Sequence, residues 1–352
     1  MTYYMKSGIR FNVTTKEAMD LHETLPAGTY TVKFDKMNSC FYLEEIENLT
    51  ATGKIYGDAQ KRAHRIMATF NDREKSTGVL LTGEKGSGKT LLARLLAQNG
   101  RQLGIPAIVI NQPWCGEEFN AFVQMIEQPT IILFDEFEKV YDRDDQEKML
   151  TLLDGVYPSK KLFVLTCNDR WRINEHMRNR PGRIYYMLDY RGLDREFIEE
   201  YCRDNLDAQE HIPSVCRVAG AFGEFNFDML KAMVEEMNRF DESPIEVMKM
   251  LNTRPEFSGD QEYNISLQVQ GIDIPQELAD RVWQGNPMAG SIQVEYRHKD
   301  DNGTLEWTAA SFNPHDLKEV DSQSSRFIFH NDQGNRLVLS RVYRKGYDWN
   351  AF

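Results

Sequence analysis

Apolar residues along the chain fall into short, nearly continuous runs separated by longer mixed stretches. Val79-Leu-Leu, Ala107-Ile-Val-Ile, Thr130-Ile-Ile-Leu-Phe and Lys161-Leu-Phe-Val-Leu read as strands buried on both faces. Between them the period changes. Leu91-Leu-Ala-Arg-Leu-Leu-Ala-Gln is built from strong helix formers, Phe119, Phe122, Val123 and Ile126 recur at helical spacing, and Asp144 to Val156 reads as a further helix. A fifth strand is expected in Arg183-Ile-Tyr-Tyr-Met-Leu. Strands alternating with helices predict a parallel sheet covered on both faces.

The flanks differ. Leu25-Pro-Ala-Gly-Thr-Tyr-Thr-Val-Lys-Phe predicts a turn and a strand with Tyr30, Val32 and Phe34 on one face, and Cys40-Phe-Tyr-Leu a second strand. Ile55-Tyr-Gly-Asp opens a polar helix that runs to about Phe70, and Glu242 to Leu251 reads as another helix. Asn252-Thr-Arg-Pro-Glu-Phe-Ser-Gly-Asp has the composition of a linker. Beyond it, Ser291-Ile-Gln-Val-Glu-Tyr-Arg, Thr304-Leu-Glu-Trp-Thr and Arg326-Phe-Ile-Phe-His alternate. Asn331-Asp-Gln-Gly-Asn joins the last of these to Arg336-Leu-Val-Leu in an expected hairpin. This end reads as a small antiparallel β domain whose acids outnumber its bases. Its tail mixes cations with aromatics (Arg341, Arg344, Lys345, Tyr347, Trp349), either as a solvated hairpin face or in the manner of single-strand binders.

The chemistry centres on Gly83-Glu-Lys-Gly-Ser-Gly-Lys-Thr, which lies between a strand and a helix and matches the phosphate-binding P-loop (Walker A). Gly83, Gly86 and Gly88 let backbone N–H groups turn against phosphate oxygens. Lys89 supplies charge to the β- and γ-phosphates, and Thr90 offers a hydroxyl to Mg²⁺. Glu84, Lys85 and Ser87 complete the loop, and Leu91 carries it into the helix, whose N-terminus suits an anion. The third strand ends in Asp135-Glu136, the Walker B pattern: Asp135 is expected to hold Mg²⁺ through water and Glu136 to polarise the attacking water. The fourth ends in Thr166 and Asn168, and an amide at that place can hydrogen-bond the γ-phosphate or the lytic water. Tyr56-Gly57 stands where many ATPases pack against adenine; an ordinary loop entering a helix is the other reading. Asn168-Asp-Arg-Trp lacks the lysine and second acid of a guanine-reading run, which favours ATP over GTP.

Composition narrows the class. The 352 residues, 27% charged and 41% hydrophobic, suit a soluble protein of two or three domains with an ample core. A net charge of −12 weighs against a broad nucleic-acid surface. Cys40, Cys115, Cys167, Cys202 and Cys216 form no C-x-x-C pair, so neither zinc nor a disulfide framework is expected. With no long apolar run and no signal-peptide core near the N-terminus, the expectation is a reducing, cytoplasmic setting without membrane contact.

On these residues, the stretch from about 50 to 240 resembles an AAA+ ATPase of the protein-remodelling branch. Asn168 falls on the family's sensor-1 position. Asn179-Arg-Pro-Gly-Arg resembles its arginine-finger segment, with Arg180 and Arg183 on the finger positions. Leu152-Leu-Asp-Gly resembles a run in the helix after Walker B, and Trp114-Cys-Gly-Glu resembles the pore loop. Glu210 to Met237, with its Ala-Gly-x-Phe-Gly turn, is similar to the small helical lid. Trp114 and Cys115 replace the commoner pore residues, and the lid helix Asn226-Phe-Asp-Met-Leu-Lys has no sensor-2 arginine.

The resemblance implies ATP and Mg²⁺, fingers acting on a neighbouring copy's nucleotide in a hexamer, and an exposed Trp114 that grips a protein substrate. A buried core tryptophan and structural arginines are the plainer readings of Trp114, Arg180 and Arg183. The expected organisation is an α/β P-loop domain with a helical lid between β-containing flanks. Its bounds are 1–50 for a β-containing N-terminal region, 51–190 for the nucleotide-binding domain, 191–251 for the lid, 252–262 for a linker and 263–352 for the β domain. The expected function is that of an ATP-driven oligomeric motor that remodels or threads a protein partner. An ATPase acting on nucleic acid, such as a helicase loader or clamp loader, is the alternative, and a nucleotide-regulated scaffold is a third.

Overall fold

The computed structural model describes residues 2–7, 9–15, 18, 20, 22–154, 159–178, 180–190, 192–222, 225–251, 261–299, 305–321 and 326–342. The chain divides into two units, Met1–Arg191 and Gly192–Phe352. The expected linker up to residue 260 and the tail residues Arg344, Lys345, Tyr347 and Trp349 lie outside the described residues, as do Gly155, Asn179 and Gly223 of the runs named above.

The first unit opens with a hairpin of β1 (Thr2–Ser7) and β2 (Arg10–Thr15). There follow β3 (Thr29–Asp35), β4 (Cys40–Ile46), α1 (Ala59–Asp72), β5 (Thr77–Gly83), α2 (Lys89–Gln102), β6 (Ala107–Ile110) and α3 (Glu117–Met125). Then come β7 (Thr130–Phe134), α4 (Phe137–Val140), α5 (Arg143–Leu153), β8 (Lys161–Cys167), α6 (Glu175–Arg178) and β9 (Tyr186–Tyr190). Among the described residues seven strands form one sheet in the order β4-β3-β6-β7-β8-β5-β9. All pairs are parallel except the edge pair of β3 and β4.

Successive side chains of a strand face opposite ways, and here each side meets its own core. Val79, Leu81, Ile131, Leu133, Leu162 and Val164 pack with Ala63, Ile66 and Phe70 of α1 and Leu92, Leu95 and Leu96 of α2. Leu80, Ile132, Phe134, Phe163 and Leu165 face Phe119 and Val123 of α3, Phe137 of α4 and Met149 and Leu152 of α5. The near-continuous apolar strands therefore correspond to a sheet covered on both faces.

One expectation is corrected. Residues 29–46 do not form a region apart from the nucleotide-binding domain. Thr29, Tyr30 and Thr31 pair in parallel with Ala107, Ile108 and Val109, and Tyr30 and Val32 are buried in the same core as Phe134 and Phe163. The alternation of this strand reveals one buried face, but its pairing partner lies in a distant segment that no local pattern identifies.

In the second unit, α7 (Arg195–Asn205), α8 (Ile212–Ala221), α9 (Phe227–Phe240) and α10 (Pro244–Met250) precede, among the described residues, eight strands. Asp194, Asn226 and Ser243 cap α7, α9 and α10 by accepting from the backbone N–H three residues on. The strands are β10 (Glu262–Val269), β11 (Ile272–Asp273), β12 (Val282–Gln284), β13 (Ile292–Lys299), β14 (Leu305–Phe312), β15 (Leu317–Asp321), β16 (Arg326–His330) and β17 (Arg336–Arg341). They pair antiparallel, and alternate residues Tyr263, Ile265, Leu267, Phe327, Phe329, Leu337 and Leu339 share a core with Ile292, Val294 and Phe312. Helix α8 lies directly on β15. A Cβ on Gly220 would stand 2.8 Å from Cβ of Val320, and Arg195 pairs with Glu319 at 3.6 Å.

At the start of β8, Lys161 is only 2% exposed. Its ammonium donates to the carbonyls of Ile126 at 2.5 Å and Gln128 at 3.0 Å, just past the end of α3. Gln128 in turn exchanges side-chain hydrogen bonds with the backbone of Leu25. Burial lowers the Lys161 pKa to about 8, below the roughly 10.4 of an unfolded lysine. Between those values the unfolded chain keeps a proton that the folded chain has released, so stability rises with pH. The neutral amine still has donors for both carbonyls. Relative to Lys161→Met, the wild type should therefore gain up to about 3 kcal/mol between pH 8 and 10.5. Urea unfolding of both proteins across that range checks this, and a constant difference would mean that the charge is not desolvated.

Candidate nucleotide-binding site

Strands β7, β8 and β5 are neighbours and run the same way, so their carboxyl ends deliver three segments to one edge of the sheet. Ligands of open α/β sheets bind at this end. The segments are Gly83–Thr90 after β5, Asp135-Glu136 after β7 and Asn168 after β8.

The P-loop takes positive φ at Gly86 (74°) and Gly88 (98°), a region that side chains disfavour, and α2 begins immediately afterwards at Lys89. Lys89 is 7% exposed. Its ammonium donates to the carbonyls of Gly83 at 2.5 Å and Glu84 at 2.7 Å, and to Oδ1 of Asn168 at 3.3 Å. Desolvation lowers its pKa, against the opposing pull of Cys167 and of Glu138, Asp135 and Glu136. Thr90 is exposed on the first turn of α2. The Ser87 hydroxyl is buried without a hydrogen-bond partner among the described residues. An orphaned donor in a glycine loop at a helix N-terminus fits a phosphate group.

Thr166 ties the acids together. Its hydroxyl donates to Asp135 at 2.7 Å and accepts from the N–H of Glu136 at 2.9 Å. Glu136 has left-handed backbone, φ 47°, unusual for a residue with a side chain and typical of functional sites. Its carboxylate pairs with Lys139 at 2.5 Å and with Lys85 of the P-loop at 3.6 Å. The hydrogen bond from Lys139 holds its pKa below the usual carboxylate range. Among the described residues no cluster of His, Cys, Asp and Glu is arranged to hold a metal alone. Mg²⁺ held by one hydroxyl, one carboxylate acting through water, and phosphates needs no such cluster, and Thr90 and Asp135 are the residues that would fill those two places.

Two neighbours of the site were not expected. Glu138, on α4, accepts from both the backbone N–H and the side-chain amide of Asn168 at 3.0 Å. The signal was present as a third acid in Asp135-Glu-Phe-Glu-Lys, three positions past Asp135. Tyr190, the last residue of β9, lies against the P-loop. Its carbonyl would stand 2.3 Å from a Cβ on Gly83, and its ring is 3.8 Å from the Cβ position of Gly88. The Arg62 guanidinium of α1 sits 5.4 Å from the centre of that ring. Tyr56 is half-buried with Lys54 over its ring at 4.9 Å, and Gly57 has φ 66°. Ile55 beside them packs against the same core layer as Leu91 and Tyr190, which brings the entry to α1 alongside the P-loop helix.

The two candidate finger residues occupy different environments. Arg180 is exposed and makes no ion pair or side-chain hydrogen bond among the described residues. Arg183 is 8% exposed and forms a two-point pair with Asp154, its Nη2 donating at 2.7 Å, while Nη1 donates to the carbonyl of His176 at 2.8 Å. Its backbone is seated on β5, where only a glycine fits: a Cβ on Gly78 would lie 1.9 Å from the Arg183 carbonyl. With its donors taken up within its own chain, Arg183 is placed as a structural arginine, not as a finger.

Trp114 is likewise corrected. Its ring does not stand at an exposed loop tip. It is half-buried, 5.3 Å from Phe41 of β4 and 6.1 Å from Phe34 of β3, in an aromatic group that also contains Phe119 and Phe122. The buried Tyr141 hydroxyl donates to the carbonyls of Gln112 and Trp114, and the Cys115 thiol donates to Asp145 at 3.2 Å. The loop is held at both backbone and side chain. The sequence shows an aromatic residue before Cys-Gly-Glu but not the two phenylalanines that cover it from a hairpin far earlier in the chain.

Fold and site together define a P-loop nucleoside-triphosphatase domain. Residues 79–188 match the model of the ATPase family associated with various cellular activities (AAA). The chain is 29% identical over 190 residues to peroxisomal ATPase PEX1 of Cricetulus griseus, covering 47% of this chain and 14% of that protein. It is 31% identical over 127 residues to the nuclear valosin-containing protein-like protein of Mus musculus, covering 30% of this chain and 14% of that one. The chain thus spans only a small part of these relatives. A solved RuvB mutant of Thermotoga maritima aligns at 15% identity and TM-score 0.41 over 57% of this chain and 71% of that one. Among the described residues no helix is long and apolar enough to cross a membrane.

The placement of the two arginines predicts separable effects. Arg183→Ala removes the covered side of a pair whose Asp154 is partly exposed, together with the bond to the His176 carbonyl, and should destabilise the first unit by on the order of 1–2 kcal/mol. Arg180→Ala should leave the urea midpoint unchanged. Equal midpoints for both variants would place Arg183 outside the fold's framework.

Proposed function

We propose that this chain is an ATP-hydrolysing subunit of an oligomeric motor that remodels a protein partner, with each nucleotide completed by Arg180 of the neighbouring copy. The observation that supports this most is the convergence of Lys89, Asp135-Glu136 and Asn168 at adjoining strand ends, with the Lys89 ammonium already in contact with the Asn168 amide. Lys89 and the N–H groups of the loop would bind the phosphates, and Thr90 and Asp135 would hold Mg²⁺. Bound there, the ion neutralises charge on the phosphates. Glu136 takes the proton of the attacking water; its lowered pKa keeps it in the accepting form. Asn168 directs its amide to the water or the γ-phosphate. An arginine added from outside stabilises the charge of the transition state, worth roughly 10³–10⁵ in rate, and Arg180 is the exposed cation of its segment suited to that role.

Relatives named as ATPases support the hydrolytic part of this reading, and the family match supports an oligomer, with a hexamer as its closed form. The protein partner rests on the AAA resemblance. The grip on that partner is not assigned to Trp114: threading through a central pore would require its ring to leave Phe34 and Phe41.

The test is turnover and its sharing between copies. Lys89→Ala should lose ATP binding, and Glu136→Gln should bind ATP without turning it over. Arg180→Ala should lose at least about 10³-fold in turnover and recover part of it when mixed with Lys89→Ala, which still offers its own Arg180. Undiminished turnover by an isolated monomer at high dilution, or no recovery in the mixture, would reject the shared site.

A further inference from the structure

The third acid of the Asp135-Glu-Phe-Glu run bears on the reaction through another residue, Asn168. From the first turn of α4, one carboxylate oxygen of Glu138 accepts two hydrogen bonds from a single residue, the backbone N–H and the side-chain Nδ2 of Asn168, both at 3.0 Å. The other face of the same amide, Oδ1, accepts from the Lys89 ammonium at 3.3 Å. These contacts permit one orientation of the amide. Turned over, it would set its NH₂ against an ammonium and its oxygen against a carboxylate, and both contacts would become repulsive. The second oxygen of Glu138 is buried with no hydrogen-bond partner among the described residues. A buried carboxylate oxygen left bare is costly, which is more than a plain surface turn would carry. Of the three acids near Lys89, Glu138 acts on it most strongly.

We infer that Glu138 is a positioning residue for ATP hydrolysis, fixing the Asn168 amide with its oxygen toward Lys89 and so leaving its second N–H for the reacting groups. The inference rests on the proposed hydrolytic reading and names a residue which that reading does not use. The chain of contacts runs from α4 after β7, through the end of β8, to the P-loop after β5. The segment that carries the base Glu136 is thereby coupled to the lysine that carries the phosphates. When Lys89 engages phosphate in place of its present acceptors, Glu138 still holds the amide through Nδ2 and the backbone, so Asn168 is not free to rotate.

Steady-state ATPase kinetics on the full chain test this with Glu138→Ala, Asn168→Ala and the double variant. Glu138→Ala should lower kcat about 10–100-fold, as loss of an orienting partner does, with the KM for ATP within about threefold of wild type. Because Glu138 acts through Asn168, the double variant should be no slower than Asn168→Ala alone. Glu138→Gln keeps an acceptor for both donors and the shape of the turn; it guards against a simple folding defect and should recover most of the rate. Additive losses in the double variant, or a rise in KM in place of a fall in kcat, would overturn the inference while leaving the hydrolytic reading intact. A wild-type chain without turnover would remove both.

Discussion

A buried ammonium has to be surrounded by acceptors, and the position of Lys89 follows from that requirement. The residue is almost fully covered, and its three donors meet three protein oxygens, two from the P-loop that carries it and one from the end of a neighbouring strand. Taking a cation out of water without such partners would cost several kcal/mol. The loop must therefore curl back on its own carbonyls, and β8 must stand beside β5 with Asn168 at its end. The acids after β7 are fixed in the same way, through Thr166, so that every group of the site is held by the strand beside its own. A parallel sheet suits this because all three strands end at the same edge.

How much of this is written locally decides what could be read from the sequence. The four central strands, the helices between them and the residues at their ends were legible, since a fully buried strand and a P-loop each need only a short segment to declare themselves. Pairing over long distances was not. Tyr30, Val32 and Phe34 alternate visibly, yet the parallel pairing of β3 with β6 joins segments whose patterns carry no mark of each other. The error over Trp114 has the same origin. A tryptophan beside Cys-Gly-Glu looks like a loop tip until Phe34 and Phe41 arrive from the two added strands, and then the ring has aromatic partners and the loop a buried tyrosine to hold it. Glu138 escaped for a different reason: three acids near a strand end look alike in sequence, and only the direction of an amide distinguishes them.

The second unit shows how the helical lid region and the β region become one body. Their border was expected at a linker by composition, but contact between them does not depend on the linker. Gly220, in the last turn of the apolar helix α8, has no side chain where β15 passes, and Val320 fills the space. The close approach it allows explains a glycine at this place. The packing of α8 on β15 is joined by an ion pair from α7, between Arg195 and Glu319.

Under the proposed function, Arg180 and Arg183 divide a task that one could not perform. A residue that reaches outward to stabilise charge on another molecule must be free of partners in its own chain, but a free side chain on a loose loop has no defined position. Arg183 resolves the second difficulty. Its two-point pair with Asp154, its bond to the His176 carbonyl and the close seat of its backbone on Gly78 anchor the segment to α5, α6 and β5 together. Arg180, three residues earlier, shares that anchorage through the backbone, since its carbonyl accepts from the N–H groups of Arg183 and Ile184. Among the described residues the exposed Arg180 guanidinium has no side-chain partner, and in the proposed role such preorganisation is what makes an added charge effective when a reaction develops charge opposite it.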